Sequence, residues 1–220
     1  MLQYKKAFYT ILLSLSCLFL YAEEQNGEIG VNKYKDIIYT ILNNFSTIIE
    51  NNQIITNVHE TFVLSENAVR NNGVTFKIDQ RLDKILNGMS FNIYESGEIS
   101  LVFGIKYLET YSPNSSIHYS ILIHEYRHLH DYLKNGIVFM DAKKDEKESY
   151  WYELDALRIE AEFIKYYLAG KYNLSKFEEY LLYSFENNNL NTASILLQKE
   201  SMNRLVRQPG WLSPKSLQNA

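Results

Sequence analysis

Three of the chain's five histidines fall within seven positions, in the stretch ILIHEYRHLHDYLKNG that runs from Ile121 to Gly136. Inside it, His124-Glu125-Tyr126-Arg127-His128 fits the pattern H-E-x-x-H. On a helix, a spacing of four residues puts two imidazoles on one face, about 6 Å apart, where they can share one tetrahedral zinc ion. Glu125 lies a short rotation from that face, placed to accept a proton from zinc-activated water without being a ligand. His59-Glu60 begins in the same way but meets Val63 where the second histidine is needed.

Two imidazoles and a water leave a tetrahedral zinc one protein ligand short. The extended pattern H-E-x-x-H-x-x-G-x-x-H is excluded, because Asp131 stands at its glycine and Lys134 at its third histidine. The other source is a carboxylate from the next helix, within YWYELDALRIEAEFIKYYL, Tyr150 to Leu168. There Leu154, Leu157, Ala161, Ile164 and Leu168 form a core stripe, and Glu153, Ala156, Glu160 and Phe163 form a second stripe beside it. Two carboxylates on a half-buried face are costly unless they are paired or bound to metal.

Glu153 and Glu160 lie two turns, about 10 Å, apart along that stripe, so only one of them reaches a metal fixed by His124 and His128. Glu153 is the expected third ligand, because Ala156 one turn on lets the two helices approach closely. Glu160 is the alternative, with Phe163 one turn on holding the helices apart. Asp155 shares the opposite, charged face with Arg158, Glu162 and Lys165 and is not expected to be a ligand.

With these residues in view, His124-Glu125-x-x-His128 followed by Glu153-x-x-Ala156 resembles the gluzincins, zinc metallopeptidases with two histidine ligands and a glutamate ligand from a following helix. The resemblance covers about residues 97 to 170. It implies a small zincin-like α+β domain, a zinc cofactor on His124, His128 and Glu153, and Glu125 as general base. It further implies that a peptide or protein substrate pairs with the strand at 99–107. Two positions depart from the family pattern. Arg127 brings a charge where members usually have none, and Leu157 stands where many place an aspartate that orients a ligand histidine, a task left to Asp131 or Glu160. Tyr152, Arg158 and His118 are candidates for stabilising an oxyanion.

The elements that must position these groups follow from periodicity. Tyr34 to Asn51 spaces Ile37, Ile38, Ile41, Leu42, Phe45, Ile48 and Ile49 as an amphipathic helix. Val74 to Ile78, Phe91 to Tyr94 and Ile99 to Tyr107 read as strands, with Glu95-Ser96-Gly97-Glu98 as a hairpin turn and the third strand half-buried. Pro113-Asn114-Ser115-Ser116 starts and Asn135-Gly136 stops a helix of about 20 residues that carries the H-E-x-x-H pattern. On it Ile117, Ile121, His124, His128 and Tyr132 share an inward stripe, with Leu122, Glu125 and Leu129 beside it. Arg127, His130 and Lys134 fall on the far side, which places His130 in solvent. Further helices are expected from Lys147 to Ala169, after the capping box Ser175-Lys176-Phe177-Glu178, and from Thr192 to Leu205.

The 220 residues, 46% of them hydrophobic, suffice for one domain with a core. Lys5 and Lys6 precede an apolar run from Ala7 to Ala22, the layout of a secretory signal peptide at 1–22, cut after Ala22. The run is short for a membrane span of about 20 residues. The alternative is a lipid anchor at Cys17. The mature chain, 23–220, reads as a mixed half at 23–113 and a helical half at 114–220. It has no cysteine, so any metal site must use His, Asp or Glu. Loss of the two lysines leaves 20 basic against 26 acidic residues, a balance that argues against nucleic acid or anionic lipid as partner. The sequence therefore reads as an exported zinc metallopeptidase. The rival reading is a non-catalytic exported or lipid-anchored binding protein with a structural or vestigial zinc site.

Overall fold

Helix α1 (Lys35–Glu50) forms because its isoleucines, Leu42 and Phe45 recur every three to four residues, and it buries Ile38, Ile41, Leu42, Phe45 and Ile49. Each such side chain contributes about 1.5–3 kcal/mol when fully removed from water. The computed structural model describes residues 33–189 except 53, 72, 81, 83–87, 95, 143–145, 171–173 and 175. The expected leader with Cys17, the helix at 192–205 and Ser175 of the capping box lie outside the described residues.

Helix α2 (Thr56–Arg70) follows, then strands β1 (Thr75–Ile78), β2 (Met89–Ile93) and β3 (Ile99–Phe103). Helix α3 (Ile105–Thr110) leads into α4 (Ser116–Asn135), α5 (Ile137–Ala142), α6 (Glu146–Tyr167) and α7 (Lys176–Glu186). Among the described residues the chain is thus α+β, with seven helices and one three-stranded mixed sheet of order β1-β3-β2. Phe45 ties the helices together: its ring lies 5.4 to 6.4 Å from those of Phe62, Tyr119, Tyr126 and Phe163, on α2, α4 and α6. No helix among the described residues is long and apolar enough to cross a membrane.

Helix α4 has the expected limits, with Gly136 closing it at a φ of 53°, a conformation that suits glycine. Its far side differs from expectation. Helix α2, which sequence periodicity did not reveal, packs along that side, so His130 is 3% exposed, with its Nδ1 3.2 Å from the acceptor oxygen Oδ1 of Asp131, instead of facing solvent. The inward residues of α2 explain why the pattern was hidden: with Val58 and Phe62 it buries Thr61, Ser65 and Glu66. These polar groups find partners, since Glu66 accepts the hydroxyls of Ser46 and Tyr126 at 2.7 and 2.6 Å and pairs with Arg70.

The third strand also departs from expectation. It ends at Phe103, and the chain turns through Gly104 into α3, where Ile105, Tyr107 and Leu108 are buried at helical spacing. Alternation of Ile99, Leu101, Phe103, Ile105 and Tyr107 therefore spans two elements. The strand is not half-buried but covered on both faces from Ser100 to Phe103. It is central in the sheet, parallel to β1 with Phe76 opposite Leu101, and antiparallel to β2 with Phe91 opposite Leu101.

Candidate metal centre

Helix α4 supplies His124 and His128, both buried to 8% exposure, with their rings 5.0 Å apart and nearly perpendicular. Helix α6 crosses beside them, and Ala156, fully buried, lets it come close. Glu153 is the carboxylate that reaches both rings. Its two oxygens lie 3.6 Å from Nε2 of His124 and 3.3 Å from Nε2 of His128. His124, His128 and Glu153 each offer a ligand atom, all within 4.8 Å of one another, close enough to hold a metal ion.

The donor set can be tested against zinc. Bonds of about 2.0–2.2 Å to nitrogen and oxygen give a tetrahedron whose ligand atoms are about 3.3–3.5 Å apart. The separations of 3.3 Å from Oε1 to His128 and 3.6 Å from Oε2 to His124 are close to that edge, one for each oxygen of Glu153. Two imidazoles and one carboxylate also match the composition of zinc sites that keep a fourth position open.

Glu160 takes a different position. Its Oε2 is 3.2 Å from Nδ1 of His124, the nitrogen opposite the cluster. With the proton on Nδ1, that bond leaves Nε2 as a lone-pair donor facing Glu153 and His128. Asp131, the other candidate for this task, is engaged by Arg127 and His130. Burial disfavours a charge on His124, but hydrogen bonds to Glu153 and Glu160 and the fields of Glu160 and Glu125 outweigh it, and its pKa is pushed up to about 10. The cluster is thus electrostatically shaped to hold positive charge.

Glu125 stands outside the His–His–Glu cluster. Its Oε2 accepts the main-chain N–H of Phe91 at 2.8 Å. That contact identifies the sheet edge that flanks the cluster. Gly88 C=O accepts from Gly104 N–H and Tyr94 N–H donates to Glu98 C=O, so the even-numbered residues of β2 bond to β3. Met89, Phe91 and Ile93 therefore turn their main-chain groups outward, toward α4. The strand at 99–107 does not have that position: β3 is bonded on both sides, so it has no free edge for the peptide pairing expected of it.

The candidates for oxyanion stabilisation fare unevenly. His118 is fully buried, with Nδ1 2.7 Å from the Tyr107 hydroxyl and Nε2 2.9 Å from the Ser112 carbonyl. Arg158 is bound to Asp155 and Glu162. Both are committed away from the cluster and are withdrawn from that role. Tyr152 packs edge-on against Phe139, one residue before Glu153. Asp155 lies between Arg127 and Arg158, as its charged face implied, and is no ligand. Phe91, which no pattern marked, is the contribution that sequence reasoning missed, because its functional atom is a main-chain nitrogen.

Comparisons of the chain with protein-family models, with curated proteins and with solved structures find no match.

Proposed function

We propose that this chain is an exported, zinc-dependent metallopeptidase with a zincin-like fold of the gluzincin type. The observation that carries the reading is Glu153 lying 3.3 and 3.6 Å from the two histidine nitrogens, with Glu125 on the same helix but outside the cluster. His124, His128 and Glu153 would hold the ion. Zinc bound there supplies Lewis acidity, which polarises a carbonyl and makes water more acidic. Glu125 accepts the proton released from water and returns it to the departing amine. Glu160 keeps the His124 ring oriented through Nδ1. An extended peptide would lie against the partly exposed end of β2, bonding to the outward groups of Ile93, and its scissile bond would face Glu125.

Metal analysis and one substitution test this reading. Protein purified without chelator should carry about one zinc per chain, lost in His124→Ala. Glu125→Gln should keep the zinc yet lose peptide hydrolysis by several orders of magnitude, because only the proton acceptor has gone. Protein that is zinc-loaded but inert toward a diverse peptide library, peptidoglycan peptides included, would establish the binding-protein alternative instead.

A further inference from the structure

Arg127, the charge that sits awkwardly inside the H-E-x-x-H pattern, does not point to solvent. Its Nη2 lies 3.0 Å from Asp131 on its own helix and 2.8 Å from Asp155 on α6, with the guanidinium side chain 19% exposed. Asp155 in turn receives Nε and Nη2 of Arg158 at 2.8 and 2.7 Å, and Arg158 reaches Glu162 at 2.7 Å. The charges alternate along this chain, from Asp131 through Arg127, Asp155 and Arg158 to Glu162, and the Arg127–Asp155 link crosses from α4 to α6.

The place of that crossing gives it a function. Arg127 immediately precedes His128, and Asp155 follows Glu153 by two residues, so along the helix axes the link lies within about 3 Å of the ligands it flanks. Beside this crossing, Glu153 and Glu160 of α6 face His124 of α4 at 3.6 and 3.2 Å, while Glu125 on α4 brings a like charge to theirs. A close ion pair beside them ties α4 to α6 at the point where Glu153 must stay within a fraction of an ångström of its position. Exposed ion pairs contribute little to stability, but this one is half-buried and networked, and its effect is on the placement of a ligand rather than on the total.

We infer that the Arg127–Asp155 pair is the positioning device of the metal centre, holding α6 against α4 so that Glu153 stays at ligand distance from His124 and His128. This rests on the metal-centre reading above. It assigns to Arg127 and Asp155 a role that neither helix periodicity nor the H-E-x-x-H pattern gives them.

Two substitutions probe it. In Asp155→Ala each arginine keeps a second carboxylate, Arg127 keeping Asp131 and Arg158 keeping Glu162, and alanine suits a helix, so the fold is retained while the crossing is lost. Arg127→Leu removes the same link from the other side. In chelator-competition titrations with zinc, each should bind roughly 10- to 100-fold more weakly than wild type, the range seen when groups that orient ligands are lost. The double variant should be little worse than the poorer single one, because both remove one interaction. Arg127→Lys, which keeps the charge, should recover most of the affinity. Crystal structures of the metal-free variants should show Glu153 withdrawn from the 3.3 and 3.6 Å positions. Zinc affinities within about threefold of wild type, or Glu153 unmoved in Asp155→Ala, would overturn the inference whatever happens to the melting temperature. If wild-type protein itself takes up no zinc, the peptidase reading fails, and the metal-free structures still decide whether the pair positions Glu153.

Discussion

The main-chain N–H of Phe91 donates to Oε2 of Glu125 across 2.8 Å, joining the free edge of the sheet to the middle of α4. The relationship is one of geometry set by register. Because Phe91 opposes Leu101 in a pair that exchanges no hydrogen bonds, its N–H points out of the sheet and meets the carboxylate that follows the first histidine. The sheet thereby fixes the carboxylate proposed as the base.

Phe91→Pro should therefore cut turnover by about 10- to 100-fold, the worth of a hydrogen bond to a charged group, while zinc content stays at wild-type level. Proline is tolerated at an edge position whose N–H faces outward, so the strand survives the change. Phe91→Ala, which keeps the N–H, separates the main-chain effect from loss of the ring. Equal turnover in the two variants, measured on the same peptide, would refute a role for the amide.

Glu153 and Glu160 should part company in metal titrations. Glu153→Ala removes a carboxylate whose two oxygens approach the two imidazoles, whereas Glu160→Ala removes a bond to the far nitrogen of His124 alone. The second loss should cost about 10- to 100-fold in zinc affinity and the first considerably more. The reverse order in chelator competition would transfer the ligand role to Glu160.

Much of this arrangement was legible in the sequence, and the parts that were not share a physical cause. Helix α4 announced itself through Ser115 and Gly136 at its ends, and the pairing of His124 with His128 on one face followed from the helical period. Ala156 correctly marked where α6 comes close. Helix α2 stayed hidden because Thr61, Ser65 and Glu66, rather than apolar residues, fill its buried face, and their partners Tyr126, Ser46 and Arg70 are supplied by tertiary structure. Missing α2 meant misplacing His130 in solvent. The strand at 99–107 was overextended because Ile105 and Tyr107 continue a period of two by coincidence, while Leu108 beside them belongs to a helical face. Which strand occupies the sheet edge is a matter of topology, and no local pattern encodes it.

His118 provides a readout of the fold around α4 that is independent of the cluster. Burial pulls its pKa below the ordinary histidine value, more than its main-chain hydrogen bonds raise it. As a neutral ring it donates from Nε2 to the Ser112 carbonyl and accepts the Tyr107 hydroxyl at Nδ1. In the unfolded chain the pKa returns to about 6.5, so below that pH the unfolded state binds the extra proton. The stabilisation is complete above pH of about 6.5 and is lost as pH falls from there toward the folded value. His124 acts in the opposite sense in metal-free protein: its raised pKa stabilises fully below about 6.5 and the contribution disappears as pH climbs through about 10. Comparison with His118→Gln separates the two, since that variant retains His124 and has nothing to titrate at 118. Urea unfolding of chelated protein between about pH 8 and 5 should show wild type losing more stability on acidification than the variant. Identical slopes for the two proteins, whatever the offset between them, would mean that His118 is as easily protonated in the fold as in water.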